Sequence, residues 1–100
     1  MYIYNLSIKL QPEIESEWLQ WMQQEHMPEV LATGMFDHSR LFRLLDPLEK
    51  DDVIYVVQYD TNELHRYQTY IDEYAQVLRE KGYARFGDRF IAFRTLMQEC

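Results

Sequence analysis

Residues 2–10 read YIYNLSIKL. Tyr2, Tyr4, Leu6, Ile8 and Leu10 fall on one side of this stretch, and Ile3, Asn5, Ser7 and Lys9 on the other. Side chains alternate faces along a strand, so the pattern predicts a half-polar β-strand. The residues just after it decide the fold. Pro12 has its φ preset for a first helical turn, where its missing N–H costs nothing. Glu13, Glu15 and Glu17 then favour the positive end of a helix dipole. Ile14, Trp18, Trp21 and Met22 recur at helical spacing and make one apolar stripe. A strand therefore runs straight into an amphipathic helix.

Working outward, Pro28 disfavours helical geometry at Met27 and removes a backbone donor. The helix is expected to kink or break near His26–Met27, with residues 28–33 forming a further turn stopped by Gly34. FDHSRLFRLL (36–45) reads as a second strand and VIYVVQY (53–59) as a third, joined through the polar DPLEKDD as an antiparallel hairpin. Thr61 or Asn62 is placed to cap a second helix, whose stripe is Leu64, Tyr67, Ile71, Tyr74, Ala75 and Leu78. Gly82 is its expected stop. A loop through Gly87 leads to FIAFRTLM (90–97), the fourth strand.

The order β-α-β-β-α-β is the ferredoxin-like, split βαβ arrangement of the α+β class. Right-handed crossovers put both helices on one face of an antiparallel sheet. The expected strand order is 4-1-3-2, with strands one and three central. At 100 residues, the chain is read as a single ferredoxin-like domain spanning 1–100.

Both faces of that sheet are apolar. Val53, Tyr55, Val57 and Tyr59 point one way and Ile54 and Val56 the other; Phe90 and Leu96 oppose Ile91, Phe93 and Met97. Helices cover only one face, and a bare patch of several hundred Å² is unusual on a soluble monomer. The expectation is a homodimer packed sheet to sheet about a two-fold axis.

The chain carries 17 acidic and 10 basic residues, a net charge of −7. That balance repels phosphate backbones and anionic lipid, so neither nucleic acid nor a membrane is an expected partner. Arg79, Lys81, Arg85, Arg89 and Arg94 nevertheless cluster against only Glu80 and Asp88, a local patch able to attract a small anion or simply a solvated face. Cys100 is the only cysteine, and neither an apolar run of transmembrane length nor a basic-plus-apolar leader is seen. A cytoplasmic setting is expected.

The stretches MYIYNLSIKL (1–10), EWLQWMQQEHMPEVLATGMF (17–36) and RFGDRFIAFRTL (85–96) carry a resemblance. With the elements between them, they make the chain similar to a small bacterial family of the dimeric α/β-barrel superfamily, described only as a domain of unknown function. The resemblance implies a ferredoxin-like protomer and a homodimer with face-to-face sheets, and no activity. The wider superfamily includes cofactor-free monooxygenases, lactone isomerases, haem-degrading enzymes and ligand-binding modules. Many hold their ligand between the sheet and helices of one protomer, and some share a pattern like Trp21, His26 and Pro28 here. Fold alone transfers no function.

Four residues are read as lining such a cavity: Tyr4, Trp21, His26 and Arg94. On an ideal helix His26 lies about 120° from Ile14, at the margin of the stripe. It is either a proton relay in a pocket or a structural histidine bonded to a backbone group freed by Pro28. Glu25 lies about 20° from Ile14, near the middle of the stripe. There it needs a partner such as Arg94 or Arg40 and is a candidate base, unless the stripe ends a turn earlier and leaves it solvated. Trp18 and Trp21 serve a core whatever the function. Tyr2, Tyr4, Tyr55 and Tyr59, on the central strands, either line a polar aromatic pocket or reach water. Arg94, inside an apolar strand, calls for a carboxylate, a bound anion or a place in the dimer interface.

His26, His38 and His65 show no metal-ligand spacing and the glycines form no phosphate loop, so no metal or cofactor is expected; a haem role for His26 rests on the superfamily alone. The functional expectation is a homodimer binding a small molecule between sheet and helices. The alternatives are a cofactor-free monooxygenase or isomerase with His26 or Glu25 as base, and a structural or regulatory dimer without a ligand.

Overall fold

The hydrogen-bonded core of the molecule is β1 (Tyr2–Leu10), the alternating stretch, which is flanked on both sides. The computed structural model describes residues 1–100. One neighbour is β3 (Val53–Thr61), antiparallel, with Tyr4 opposite Tyr59, Leu6 opposite Val57 and Ile8 opposite Tyr55. The other is β4 (Phe90–Gln98), with Leu6 opposite Arg94 and Ile8 opposite Ala92. β2 (His38–Arg43) pairs with the outer side of β3. The sheet order β2-β3-β1-β4 is the expected 4-1-3-2 read from the opposite edge. The fold is ferredoxin-like.

All helices pack on one face. After a 3₁₀ turn at Pro12–Ile14 come α1 (Glu15–Trp21), a π turn at Met22–His26 and α2 (Met27–Ala32). The second crossover is α3 (Leu64–Glu73) and α4 (Ala75–Phe86), separated at Tyr74, where φ is −120°. The core lies between these helices and the sheet. Trp18, Val30, Tyr59 and Phe86 are among its fully buried members. Trp18 alone removes about 150–250 Å² of ring surface from water, as large aromatics do.

β2 is shorter than the expected 36–45 and the second helix is split at Tyr74; three further differences bear on the site. Of the kink or break expected near His26–Met27, the structure shows no break; the helix departs from regular geometry there by widening. Pro28 has no N–H to give to Gln24, and its ring would crowd that carbonyl in a regular α-helix. The chain meets this with an extra residue in the turn, so that Met27 N–H donates to Met22 O, five residues back. Residues 27–32 then continue as α2, and the helix stops at Gly34, where φ is +78° and N–H donates to Leu31 O at 3.0 Å.

Gly82 is the second difference. It lies inside α4, and the stop is Gly87, at φ +62° and ψ −133°. Gly82 is needed for closeness: a Cβ there would meet Trp21 Cη2 at 3.2 Å. Finally, Thr61 belongs to β3, and Glu63 occupies the cap position of α3 without a side-chain bond. Thr61 Oγ1 accepts the Glu63 N–H at 3.2 Å in the turn between strand and helix.

The face away from the helices carries Ile3, Ile54 and Val56 on the inner strands. Phe42, Ile91 and Phe93 on the edge strands are 46%, 56% and 65% exposed. Register brings Phe42, Val56, Ser7 and Phe93 into one row across the sheet.

Gly87 offers a test of the α4 stop. Its dihedrals belong to a region essentially closed to other residues, so Gly87→Ala is expected to cost about 1–3 kcal/mol. Urea unfolding measures this. An unchanged midpoint would mean that the helix end relaxes without strain.

Candidate functional site

The helices and the sheet do not close completely. A cavity of about 40 Å³ remains between β1, β3 and β4 on one side and the two helical crossovers on the other. One water needs roughly 10–15 Å³ by the same measure, so there is room for about three water-sized groups. The lining is mostly apolar and aromatic, and no carboxylate is part of it.

The π turn sets one wall. One residue inserted into a helix rotates everything after it back by about 100°, so each later position takes the face of its predecessor. His26 therefore points inward where a regular helix would present Glu25. Its ring stacks on Trp21, with centroids 4.6 Å apart and planes inclined by 23°. Trp21 in turn meets Phe86 edge-on at 5.6 Å, and its six-membered ring lies against Gly82. A side chain at residue 82 would force this wall to shift.

Of the two readings of Glu25, a buried base with a partner or a solvated carboxylate, the structure shows the second. Glu25 is exposed and pairs with Arg85 at 3.5 Å, on the solvent side of the helix. Neither expected partner is near it in the ion-pair network. Arg40 reaches Asp60 at 4.0 Å on the other face of the sheet, where His38 also approaches that carboxylate at 3.1 Å. The physical cause is the same rotation that turned His26 inward.

The sheet supplies the polar groups. Tyr4, Leu6 and Ile8 on β1 share their face with Tyr59 on β3 and with Phe90, Ala92 and Arg94 on β4. All of these line the cavity. Tyr4, Trp21, His26 and Arg94, the four residues read from the sequence, are thus brought together. Tyr55 shares the face but lies toward the other end, where its hydroxyl donates to Glu15 at 2.8 Å.

Tyr59, one of the strand tyrosines expected either to line a pocket or to reach water, lines the space, as do Arg79, expected only as part of the basic patch, and Tyr70, for which there was no expectation. Arg79 Nη2 donates to Tyr4 OH at 2.9 Å. A signal for Arg79 was present. Ala75, Leu78, Gly82 and Phe86 are the buried stripe of α4, and Arg79 and Tyr83 stand beside it at helical spacing.

Three buried polar atoms have no hydrogen-bond partner: His26 Nδ1, Tyr59 OH and Arg94 Nε. All three belong to residues of this cavity. Buried polar groups are ordinarily paired, so their convergence on one space is informative. Burial is also the chief influence on the protonation of His26 and Tyr59. It lowers the His26 pKa to about 4, with Lys81 and Arg94 adding to the effect and Glu29 opposing it. Tyr59 and Tyr70 are pushed well above the usual phenol range by burial, although Arg79 and Arg94 pull Tyr70 back. At neutral pH the lining therefore presents a neutral imidazole, neutral phenols and guanidinium groups. No three His, Cys, Asp or Glu side chains are grouped to hold a metal ion.

Residues 1–100 match the family model described as domain of unknown function DUF4286. The chain belongs to that family. Among the curated proteins, none matches the DUF4286 chain. Its fold is shared with solved structures. One is an ethyl tert-butyl ether d (EthD) family protein from Bacillus halodurans, at 12% identity and TM-score 0.69, with all of both chains covered. Another is a dimeric ferredoxin-like protein from an uncultured marine organism, at 12% identity and TM-score 0.66, covering 99% of this chain and 94% of that one. At such identity the likeness is one of fold. No helix of the DUF4286 chain is long and apolar enough to cross a membrane.

The neutral His26 has a measurable consequence. Its pKa is near 6.5 unfolded and about 4 folded, so as pH falls through this window only the unfolded chain takes up the proton. Stability is full above pH 6.5 and declines toward pH 4, by roughly 3 kcal/mol from this group. The difference in unfolding free energy between wild type and His26→Phe, followed by urea titration at several pH values, should change by that amount across the window. A parallel pair of curves would place the imidazole in water.

Proposed function

We propose that the protein is a homodimer of single ferredoxin-like domains, residues 1–100, that binds a small molecule in the cavity between sheet and helices. One observation carries the ligand: His26 Nδ1, Tyr59 OH and Arg94 Nε are buried, unpaired and gathered at one apolar space. An unmet buried donor or acceptor costs about 1–3 kcal/mol, and a polar occupant would recover that cost. Tyr4, Trp21, His26 and Arg94 are its binding residues. Trp21 and His26 make a stacked wall for a flat group, and Arg94 and Tyr59 supply polar contacts.

The dimer rests on the bare sheet face. Phe42, Val56, Phe93 and Ile91 form an apolar band with no helix over it, and a second sheet at about 10 Å would bury it. One protein of the same fold is itself described as dimeric. The net charge of −7 supports a setting without nucleic-acid or membrane partners, and the lone Cys100 fits a reducing, cytoplasmic one.

The imidazole favours a second reading, in which the pocket is that of a cofactor-free oxygenase or isomerase. A histidine neutral at pH 7 with a free ring nitrogen can accept a proton from a bound substrate. His26→Gln separates the readings. On the binding reading the variant changes affinity only; on the enzyme reading it retains binding and loses turnover.

Two measurements test the proposal. Tryptophan fluorescence against a panel of small planar fragments should respond through Trp21, and the response should vanish in Gly82→Leu, whose side chain drives Trp21 into the cavity. A panel without any response would remove the ligand. For the assembly, Phe93→Glu places a charge in the middle of the apolar band and is expected to halve the mass in sedimentation equilibrium while leaving the far-UV spectrum unchanged. A wild-type mass of one chain at micromolar concentration would end the dimer reading.

A further inference from the structure

The charges that face the cavity are all of one sign. In a chain of net charge −7, its ionised lining groups at pH 7 are Arg79 and Arg94, and no carboxylate lines it. Neither arginine has an acidic partner there. Arg79 is engaged by the Tyr4 hydroxyl, and Arg94 Nε has no partner. Glu29, the nearest acidic influence on His26, is held by Lys81 at 2.6 Å on the surface. Both arginines are only partly buried, but Arg94 Nε itself is out of water, and a buried donor of a charged group is costly unless something meets it.

From this we infer that the occupant is a small monoanion, a carboxylate carrying a flat apolar body, whose charge is held by Arg94. The inference rests on the ligand-binding reading above and names the class of ligand. Three features select it. Arginine presents a planar fork that matches a carboxylate with two parallel hydrogen bonds. The room inside is enough for about three water-sized groups, the size of a carboxylate with the carbon that bears it. The rest of the lining is apolar, and that surface disfavours a doubly charged phosphate, whose desolvation a single free guanidinium does not offset.

The body of the ligand is placed by the rings. Trp21 and His26 form a stacked pair on one wall, and Tyr83 stacks on Phe90 at 5.2 Å on another. Tyr83 is about half exposed, at 48%, so this second pair marks the way out to solvent. With its carboxylate inward at Arg94, a flat apolar body would extend past the Tyr83–Phe90 pair toward solvent, because the enclosed space holds only about three water-sized groups.

Isothermal titration at pH 7 and constant ionic strength, with benzoate, benzamide, indole and inorganic phosphate as probes, tests this. Benzoate should bind about ten- to a hundredfold more tightly than its neutral isostere benzamide, the ratio expected of a charge-assisted hydrogen bond. Phosphate should bind more weakly than benzoate. Arg94→Met should erase the preference for benzoate and keep the affinity for indole. The comparison of benzoate with benzamide on the wild-type protein stands even where that variant fails to fold. Equal binding of benzoate, benzamide and indole would overturn the anion and leave the cavity reading in place. Tighter phosphate than benzoate would overturn the apolar body. Silence from all four probes would overturn the anion and the ligand-binding reading together.

Discussion

Pro28 lacks the one hydrogen atom that a regular helix would need at its position. From that constraint come the π turn at Met22–His26, the inward rotation of His26 and the outward rotation of Glu25. Without the extra residue, the first crossover would present a carboxylate to the sheet, beside Arg94. With it, a neutral ring faces the cavity, stacked on Trp21, and the carboxylate is returned to solvent. One missing donor thus decides the charge of the whole site.

The second helical crossover depends on the first. Trp21 needs a flat neighbour to lie against, and Gly82 supplies one in the middle of α4, at a separation that leaves a side chain only 3.2 Å from the ring. Glycine inside a helix costs about 1 kcal/mol relative to alanine. The close packing of Trp21 and Phe86 offsets this, because each large aromatic ring takes about 150–250 Å² out of water. Rigid rings also explain why the cavity persists. Tyr4, Tyr59, Tyr70 and Phe36 stack and tilt against each other at 5.0 to 6.2 Å, an arrangement that cannot collapse by rotamer change into a space beside it.

Strand alternation made most of the fold legible. YIYNLSIKL has a period of two over its full length, and the partners of β1 are set by it once the crossovers are right-handed. Residues on opposite faces of β3 and β4 were separable for the same reason, and the uncovered apolar face with them. Helical phase was the weak link. An ideal helix counted from Ile14 accumulates every local departure, and a 3₁₀ start and a π turn lie between Ile14 and Glu25. The proline announced that something must give at residue 28 but not whether the helix would break or widen. Gly82 was ambiguous because a glycine that ends a helix and one that admits a tryptophan look alike in sequence. Arg79 was hidden in a basic cluster, since its neighbour Tyr4 is 75 residues away along the chain.

A wall of leucine and phenylalanine would suit the stability of this layer better than the groups present. Each buried polar atom left unpaired costs about 1–3 kcal/mol, against a total stability of about 5–15 kcal/mol for a domain of ordinary size. His26, Tyr59 and Arg94 together make a substantial share of that range. The three also reinforce each other: Arg94 helps to keep His26 neutral, and burial keeps the phenol protonated, so none can become the counter-ion of another. The site cannot satisfy itself. A group from outside that brings a negative charge to Arg94 and accepts from Tyr59 would relieve both at once, and the cavity is where such a group would fit.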